Sequence, residues 1–325
     1  MVESKSSPGP VFPLGIKWAL GLATLFFLFV TWDQSYWWMA KEDYSFGWLV
    51  PACVAYVIHD RWPQITALLA KKPTDEHRRS SLDSSVSTIF TYAVFIGGIL
   101  LFCLGAIFRT AAGPSYQQTL ALTLGSIGTC FALLYLSYPS KGRPAYPSER
   151  RGLIGLFIFP ICVWLISAPM LAVVESNLNL FLMNQVTSVV FFVFELLGFP
   201  LEQRGNVLVL PGGSVGVAEA CSGIRSLTGC LFAGSFLAAV FIPTRWGKLF
   251  LVAIALGFAV VMNLLRSIFL TSWAYAYGAK AIEGTVHDVS GYAVLGMTIV
   301  GLMCIMPWLN RTATPLTQDR ARTTQ

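Results

Sequence analysis

Three short polar segments interrupt apolar stretches in the last third of the chain. They cover residues 220–225 (ACSGIR), 263–266 (NLLR) and 287–291 (HDVSG). A cysteine supplies a nucleophile, a histidine transfers protons, and an arginine stabilises the oxyanion that forms when a carbonyl is attacked. Cys221, Arg266 and His287 together therefore predict acyl transfer.

Four further polar residues accompany this trio, and we expect them to support it: Ser222, Arg225, Asn263 and Asp288. Arg225 follows Cys221 by four residues, which places both on one helical face. A helix N-terminus and a nearby guanidinium both favour a thiolate. Asn263, three residues before Arg266, favours an arginine that faces the helix bundle over one that snorkels to lipid headgroups.

The composition indicates a membrane protein, because 55% of the residues are hydrophobic and only 12% are charged. We predict an all-α fold, a polytopic bundle of about eight transmembrane helices with one interfacial helix. The predicted spans are 14–31, 46–59, 87–108, 116–138, 152–174, 221–242, 249–273 and 287–309. A further apolar run at 178–199 is interrupted by asparagine, glutamine and glutamate, which favours an interfacial helix.

Lysine and arginine residues cluster near the N-terminus, at 61–79, 141–151 and 245–248, and in the tail. Positive loops mark the cytoplasmic side, and all clusters share one side only if the eight predicted spans cross and 178–199 does not. Both termini are then cytoplasmic. The net charge of +6 belongs to separate membrane-anchoring loops that contact lipid, so the pattern argues against a nucleic-acid partner.

The rise of an α-helix, ~1.5 Å per residue, gives the depth of each polar segment below its cytoplasmic anchor. Arg266 lies about 27 Å from Lys248, and Cys221 lies about 36 Å from Arg245. His287 lies about 36 Å from Arg311, against a hydrocarbon core of ~30 Å. The three candidate residues are therefore expected to meet at the outer boundary of the membrane.

The remaining features predict little extramembrane structure. Residues 206–210 and 214–217 alternate like a β-hairpin, and 1–309 are expected to form a single integral membrane domain with a disordered cytoplasmic tail at 310–325. The other six cysteines lack metal-ligand spacing, and Cys221, His287 and Asp288 are a minimal ligand set, so we expect neither a metal nor a cofactor. No feature specifies an oligomeric state.

The three segments resemble the exosortase/archaeosortase family of polytopic membrane transpeptidases. The resemblance rests on the ACSGIRSL stretch at 220–227, Asn263-x-x-Arg266 and His287-x-x-x-Gly291, and it extends upstream to YSFGWLVP at 44–51. It covers about residues 32–309. Phe46 stands where many members carry histidine, which leaves the subfamily and its sorting motif open.

The resemblance implies that Cys221 forms a thioester with the substrate, that Arg266 stabilises the oxyanion and that His287 transfers protons. It also implies a bacterial cytoplasmic (inner) membrane location with the active site facing the periplasm. The substrates would be exported proteins whose C-terminal signal comprises a short motif such as Pro-Glu-Pro, a membrane helix and a basic end. Two alternatives stay open: a polytopic transporter, and a non-catalytic subunit of an envelope polymer export system.

Overall fold

The computed structural model describes residues 13–70, 81–138, 147–211, 213–216 and 223–313. This part of the chain contains nine α-helices and one small sheet. The helices are α1 Leu14–Ala40, α2 Val50–Ala70, α3 Ser81–Ala112, α4 Tyr116–Leu136, α5 Pro147–Ser167, α6 Ala172–Leu196, α7 Gly223–Phe241, α8 Arg245–Tyr277 and α9 Thr285–Ala313. Two 3₁₀ helices, Glu42–Leu49 and Ala279–Ile282, precede α2 and α9.

Eight of the helices are long and apolar enough to cross a membrane: all except α2. The predicted all-α, multi-pass fold with eight candidate spans is therefore confirmed. One of the predicted spans, however, is replaced by another helix among the eight candidates. The expected span at 46–59 begins as a 3₁₀ helix and continues into α2, whose centre carries the polar run His59-Asp60-Arg61. The run at 178–199, expected to be interfacial, lies mostly within α6, which is long and apolar enough to be a span.

The described chain forms two compact units. Unit 1 contains residues up to Trp37 and Gly47–Pro169, whereas unit 2 contains Trp38–Phe46 and everything from Met170 onward. The stretch 38–46 thus belongs to the second unit although it is far from it in sequence. The single domain over 1–309 stays a prediction, and its predicted boundary with the tail falls inside α9, which ends at Ala313.

The helices of unit 1 bring their basic ends together. The start of α1, the end of α2, the end of α4 and the start of α5 share a core that includes Ile16, Ile65, Leu134 and Leu153. The basic stretches 61–79 and 141–151 adjoin these helix ends in sequence. Arg61, expected in a loop, is instead buried within α2, where it donates a hydrogen bond to the carbonyl of Leu156 in α5.

A hydrogen-bonded polar cluster lies further along the helices of unit 1. Asp33 Oδ1 of α1 accepts hydrogen bonds from Arg109 Nε and Gln118 Nε2, both at 2.7 Å. The next residue, Gln34, donates to Thr123 Oγ1 at 2.9 Å and accepts from Ser167 Oγ at 2.8 Å. Four helices, α1, α3, α4 and α5, are therefore joined through side chains that are withdrawn from solvent.

The sheet of unit 2 is antiparallel, in the order β1 Glu202–Arg204, β2 Val207–Leu210 and β3 Gly213–Gly216. The predicted hairpin is confirmed as β2 and β3, and the sequence did not indicate β1. Alternating residues of the pair are buried: Leu208 packs with α6, while Leu210 and Val215 pack with Leu270 and Ala274 of α8. The sheet thereby sits against the C-terminal third of α8.

Candidate functional site

The first polar segment is described only from Gly223 onward, so the predicted nucleophile Cys221 and its neighbour Ser222 lie outside the described residues. Gly223 is the first residue of α7. A Cβ at this position would lie 3.4 Å from Nδ2 of Asn263, which is itself 4% exposed. The start of α7, two residues after Cys221, is therefore adjacent to the polar face of α8.

Arg266 joins the second and third polar segments. Its side chain is buried, and it turns towards α9. Nε donates to Ser290 Oγ at 3.0 Å, and Nη2 donates to the carbonyl oxygen of His287 at 3.1 Å. Ser290 Oγ donates to the same carbonyl at 2.8 Å. Two fixed acceptors thus orient the guanidinium, which faces the inside of the unit as Asn263 suggested.

Two residues around Arg266 are more informative in the structure than in the sequence. Ser290 was not among the expected site residues, yet its hydroxyl bridges Arg266 and the His287 carbonyl. The sequence could have indicated Ser290 through its position three residues after His287, which places both residues on the same face of a helix. A Cβ at Gly291 would lie 3.7 Å from Nη2 of Arg266, so this glycine leaves room beside the guanidinium.

His287 occupies the first turn of α9, and its side chain is 28% exposed. Its Nδ1 lies 3.4 Å from Oδ1 of Asp288, a long contact that orients the ring only weakly. The backbone of His287 thus holds Arg266 while its imidazole stays partly exposed. Among the described residues, no group of three histidine, cysteine, aspartate or glutamate side chains is placed to hold a metal ion.

Arg225 of α7 is paired with the acidic residues of the 38–46 stretch. Its guanidinium contacts the Glu42 carboxylate, and its Nε lies 3.8 Å from Asp43 Oδ1. Thr228 Oγ1 donates to the backbone carbonyl of Asp43 at 3.0 Å. The expectation that Arg225 favours a thiolate at Cys221 stays a prediction, and the structure places the carboxylates of Glu42 and Asp43 beside its guanidinium. Sequence reasoning missed this pairing because the partners are separated by about 180 residues.

The 38–46 stretch is also attached to the beginning of α6. The Tyr44 hydroxyl accepts a hydrogen bond from the Met170 backbone N–H at 2.9 Å, and Lys41 pairs with Glu175 at 2.6 Å. Burial raises the pKa of Tyr44 to about 12. The ring of Phe46 stacks on Phe232 of α7 with centroids 5.2 Å apart. This stretch, singled out in sequence only by resemblance, therefore holds α6 and α7 together.

A cavity of about 580 Å³ lies between α8 and α9, directly beside Arg266. Its lining is apolar apart from Arg266, Ser290 and Thr285. The α8 side contributes Leu265, Phe269 and Trp273, and the α9 side contributes Val286, Val289, Ala293, Val294 and Met297. A single buried cation thus faces an apolar space, which is the setting in which a fixed charge acts most strongly.

The fold and this site define a multi-pass helical membrane protein whose polar groups gather beside an apolar cavity. A comparison with protein families then identifies the group: the family model described as transmembrane exosortase matches residues 37–304. The chain belongs to the transmembrane exosortase family. The match includes the 38–46 stretch and all three polar segments. No curated protein and no solved structure matches the chain significantly.

Proposed function

We propose that this exosortase is a membrane-embedded cysteine transpeptidase that cleaves the C-terminal sorting signal of exported proteins. The observation that carries the proposal is the placement of Arg266, which is buried and held by Ser290 and the His287 carbonyl. A guanidinium fixed in this way can stabilise negative charge without first reorganising. Asn263 beside the start of α7 brings the same face of α8 close to the segment that carries Cys221.

In the proposed reaction, the Cys221 thiolate attacks the carbonyl carbon of the scissile peptide bond. The carbonyl oxygen becomes an oxyanion, which Arg266 stabilises. The C–N bond then breaks, His287 gives a proton to the leaving amine, and the exported protein stays bound as a thioester. A nucleophilic acceptor group loses its proton to His287 and attacks this thioester, which releases the product and restores the thiolate.

The supporting residues have distinct proposed tasks. Asp288 weakly orients the His287 ring, as the 3.4 Å contact allows. Asn263 offers a side-chain oxygen that accepts no hydrogen bond from the described part of the chain, so it can accept one from a substrate N–H. We assign Arg225 to fixing α7 on the 38–46 stretch, because its guanidinium pairs with Glu42 and Asp43.

We further propose that the protein lies in the bacterial inner membrane with its basic helix ends in the cytoplasm and its active site outside. The shared basic end of unit 1 supports this orientation. In unit 2, the second half of α6 shares a core with Leu264, Ile268 and Tyr275 of α8. The end of α6 therefore lies beside the last third of α8, near the proposed outer boundary.

The decisive experiment replaces Cys221 with alanine in the full-length protein. We expect the variant to insert normally while full-length substrate accumulates uncleaved, since it lacks the proposed nucleophile. The matched control replaces Cys53, Cys103, Cys130, Cys162, Cys230 and Cys304 together with alanine or serine, and processing should continue. Trapping a tagged substrate on Cys221, mapped by mass spectrometry, provides the direct readout.

The opposite outcome has an equally clear meaning. Normal processing by the Cys221→Ala protein, or loss of processing in the six-cysteine variant despite normal insertion, would rule out the acyl-transfer assignment. A transporter or a non-catalytic subunit of an export system would then be the better description.

A further inference from the structure

Ser290 forms hydrogen bonds with both Arg266 and His287, the two described members of the predicted catalytic trio. Its Oγ accepts from Arg266 Nε at 3.0 Å and donates to the His287 carbonyl oxygen at 2.8 Å. Arg266 Nη2 donates to the same carbonyl at 3.1 Å, which closes a ring of three hydrogen bonds. The Ser290 hydroxyl therefore fixes the guanidinium relative to the first turn of α9.

This ring of hydrogen bonds determines which edge of the Arg266 guanidinium is occupied. Nε and Nη2 lie on the same edge of the planar group, and both donate to acceptors of α9. The end formed by Nη1 and the second N–H of Nη2 points away from those acceptors. That end can present two parallel donors to an oxyanion, as arginine does in bidentate pairs.

The surroundings of Arg266 make this arrangement depend on the Ser290 hydroxyl. Arg266 is 5% exposed, and the adjoining lining of the cavity includes Val289 and Ala293. These side chains carry no hydrogen-bond acceptor, so Nε would lose its partner if the hydroxyl were removed. Nη2 would keep the His287 carbonyl, and the guanidinium would be free to turn about that single contact.

We infer that Ser290 is a positioning residue for transpeptidation, because its hydroxyl holds Arg266 with one end of the guanidinium directed to the oxyanion; this rests on the proposed function. Ser290 takes no part in bond making or breaking and acts through Arg266. Its loss should therefore lower kcat and leave KM nearly unchanged, since the oxyanion forms only after the substrate has bound.

Steady-state kinetics test the inference in full-length protein, reconstituted in vesicles of phosphatidylethanolamine and phosphatidylglycerol with a sorting-signal peptide that the unmodified protein cleaves. We expect Ser290→Ala to lower kcat by about tenfold to a hundredfold, the scale of a misplaced catalytic group, with KM changed by less than about twofold. Ser290→Thr keeps the hydroxyl and should recover kcat to within about threefold of the unmodified value.

Thr298→Val is the matched control on the same helix. Thr298 Oγ1 donates to the carbonyl of Val294 at 2.9 Å, as Ser290 Oγ does to that of His287, but it lies two turns further along α9. Valine has a similar shape and lacks only the hydroxyl, so kcat per inserted molecule should stay unchanged. An equal loss of kcat in both variants would assign both hydroxyls to helix stability and overturn the inference.

A double-mutant cycle shows whether Ser290 acts through Arg266. A lysine at position 266 lacks the Nε–H that Ser290 accepts, so Ser290→Ala in the Arg266→Lys protein should cost less than about threefold in kcat. The full loss in that background would overturn the inference. A normal kcat of Ser290→Ala beside an intact Arg266, or an inactive Ser290→Thr protein, would do the same.

A measurement without turnover separates this inference from the proposed function. Phenylglyoxal modifies accessible guanidinium groups, and in the Cys221→Ala protein we expect Ser290→Ala to speed the modification of Arg266 by about threefold or more, measured by mass spectrometry. Unchanged modification would overturn the inference even if Cys221 is essential for processing. Continued processing by the Cys221→Ala protein would instead overturn the transpeptidase proposal and leave the hold of Ser290 on Arg266 standing.

Discussion

Both units of this exosortase bury polar side chains, but the two clusters differ in what surrounds them. In unit 1, Asp33 and Gln34 are hydrogen-bonded to side chains of three other helices. In unit 2, Arg266 is held by Ser290 and a backbone carbonyl beside an apolar cavity of about 580 Å³. Buried polarity alone therefore does not mark a functional site; polarity beside accessible space does.

The largest effect on stability is expected from the cluster in unit 1. Arg109→Ala removes the ionic partner of Asp33, whose side chain is 1% exposed, and leaves a buried charge uncompensated. We expect the free energy of unfolding to fall by about 3–5 kcal/mol, measured by denaturant unfolding in detergent, with normal activity per folded molecule. Arg204→Ala is the control, since its pair with Glu202 is exposed to solvent and its loss should leave the free energy of unfolding nearly unchanged. An Arg109→Ala protein that is inactive but as stable as the unmodified protein would contradict the structural role assigned to the unit 1 cluster.

In unit 2, replacing a buried polar residue is expected to reduce activity and to leave stability nearly unchanged. Arg266→Lys keeps a positive charge but loses the planar group that presents several donors to an oxyanion. We expect substrate processing to fall by about two orders of magnitude or more, equivalent to ~2.7 kcal/mol, at an unchanged level of inserted protein. Arg245→Lys at the start of the same helix serves as the control and should process substrate normally. Near-normal processing by Arg266→Lys would assign Arg266 a structural role like that of Arg109.

The smallest effect concerns Tyr44, which attaches the 38–46 stretch to α6. Tyr44→Phe removes the hydrogen bond from the Met170 N–H and should cost about 1 kcal/mol of stability. Because burial raises the pKa of Tyr44 from 10.0 to about 12, its contribution is fully present below pH 10 and is lost as the pH rises towards 12.

Unfolding measured across this pH window should therefore show a steeper loss in the unmodified protein than in Tyr44→Phe. Tyr277→Phe is the matched control, because the Tyr277 side chain is 68% exposed. Identical pH profiles for the unmodified protein and Tyr44→Phe would show that this hydroxyl does not hold the stretch in place.

The sequence predicted some parts of the site well and others not at all. Local spacing was enough to place Asn263 and Arg266 on one inward face, because a helix repeats every 3.6 residues. It could not reveal that Arg225 pairs with Glu42 and Asp43, since that contact depends on how distant segments fold. The predicted set of spans differs from the eight candidate spans at α2 and α6, because the exact length of a helix depends on its packing and not only on its local polarity.

The amino-acid sequence by itself determined the membrane-spanning helical fold and the three polar segments, because apolar length and residue spacing are local properties. Their catalytic roles, with Cys221 as the nucleophile, stay predictions. Only the tertiary structure decided that Arg266 donates hydrogen bonds to Ser290 and to the His287 carbonyl, and that an apolar cavity lies beside it. The division between the paired cluster of unit 1 and the site of unit 2 was likewise settled there, because hydrogen bonding and empty space arise only when helices pack.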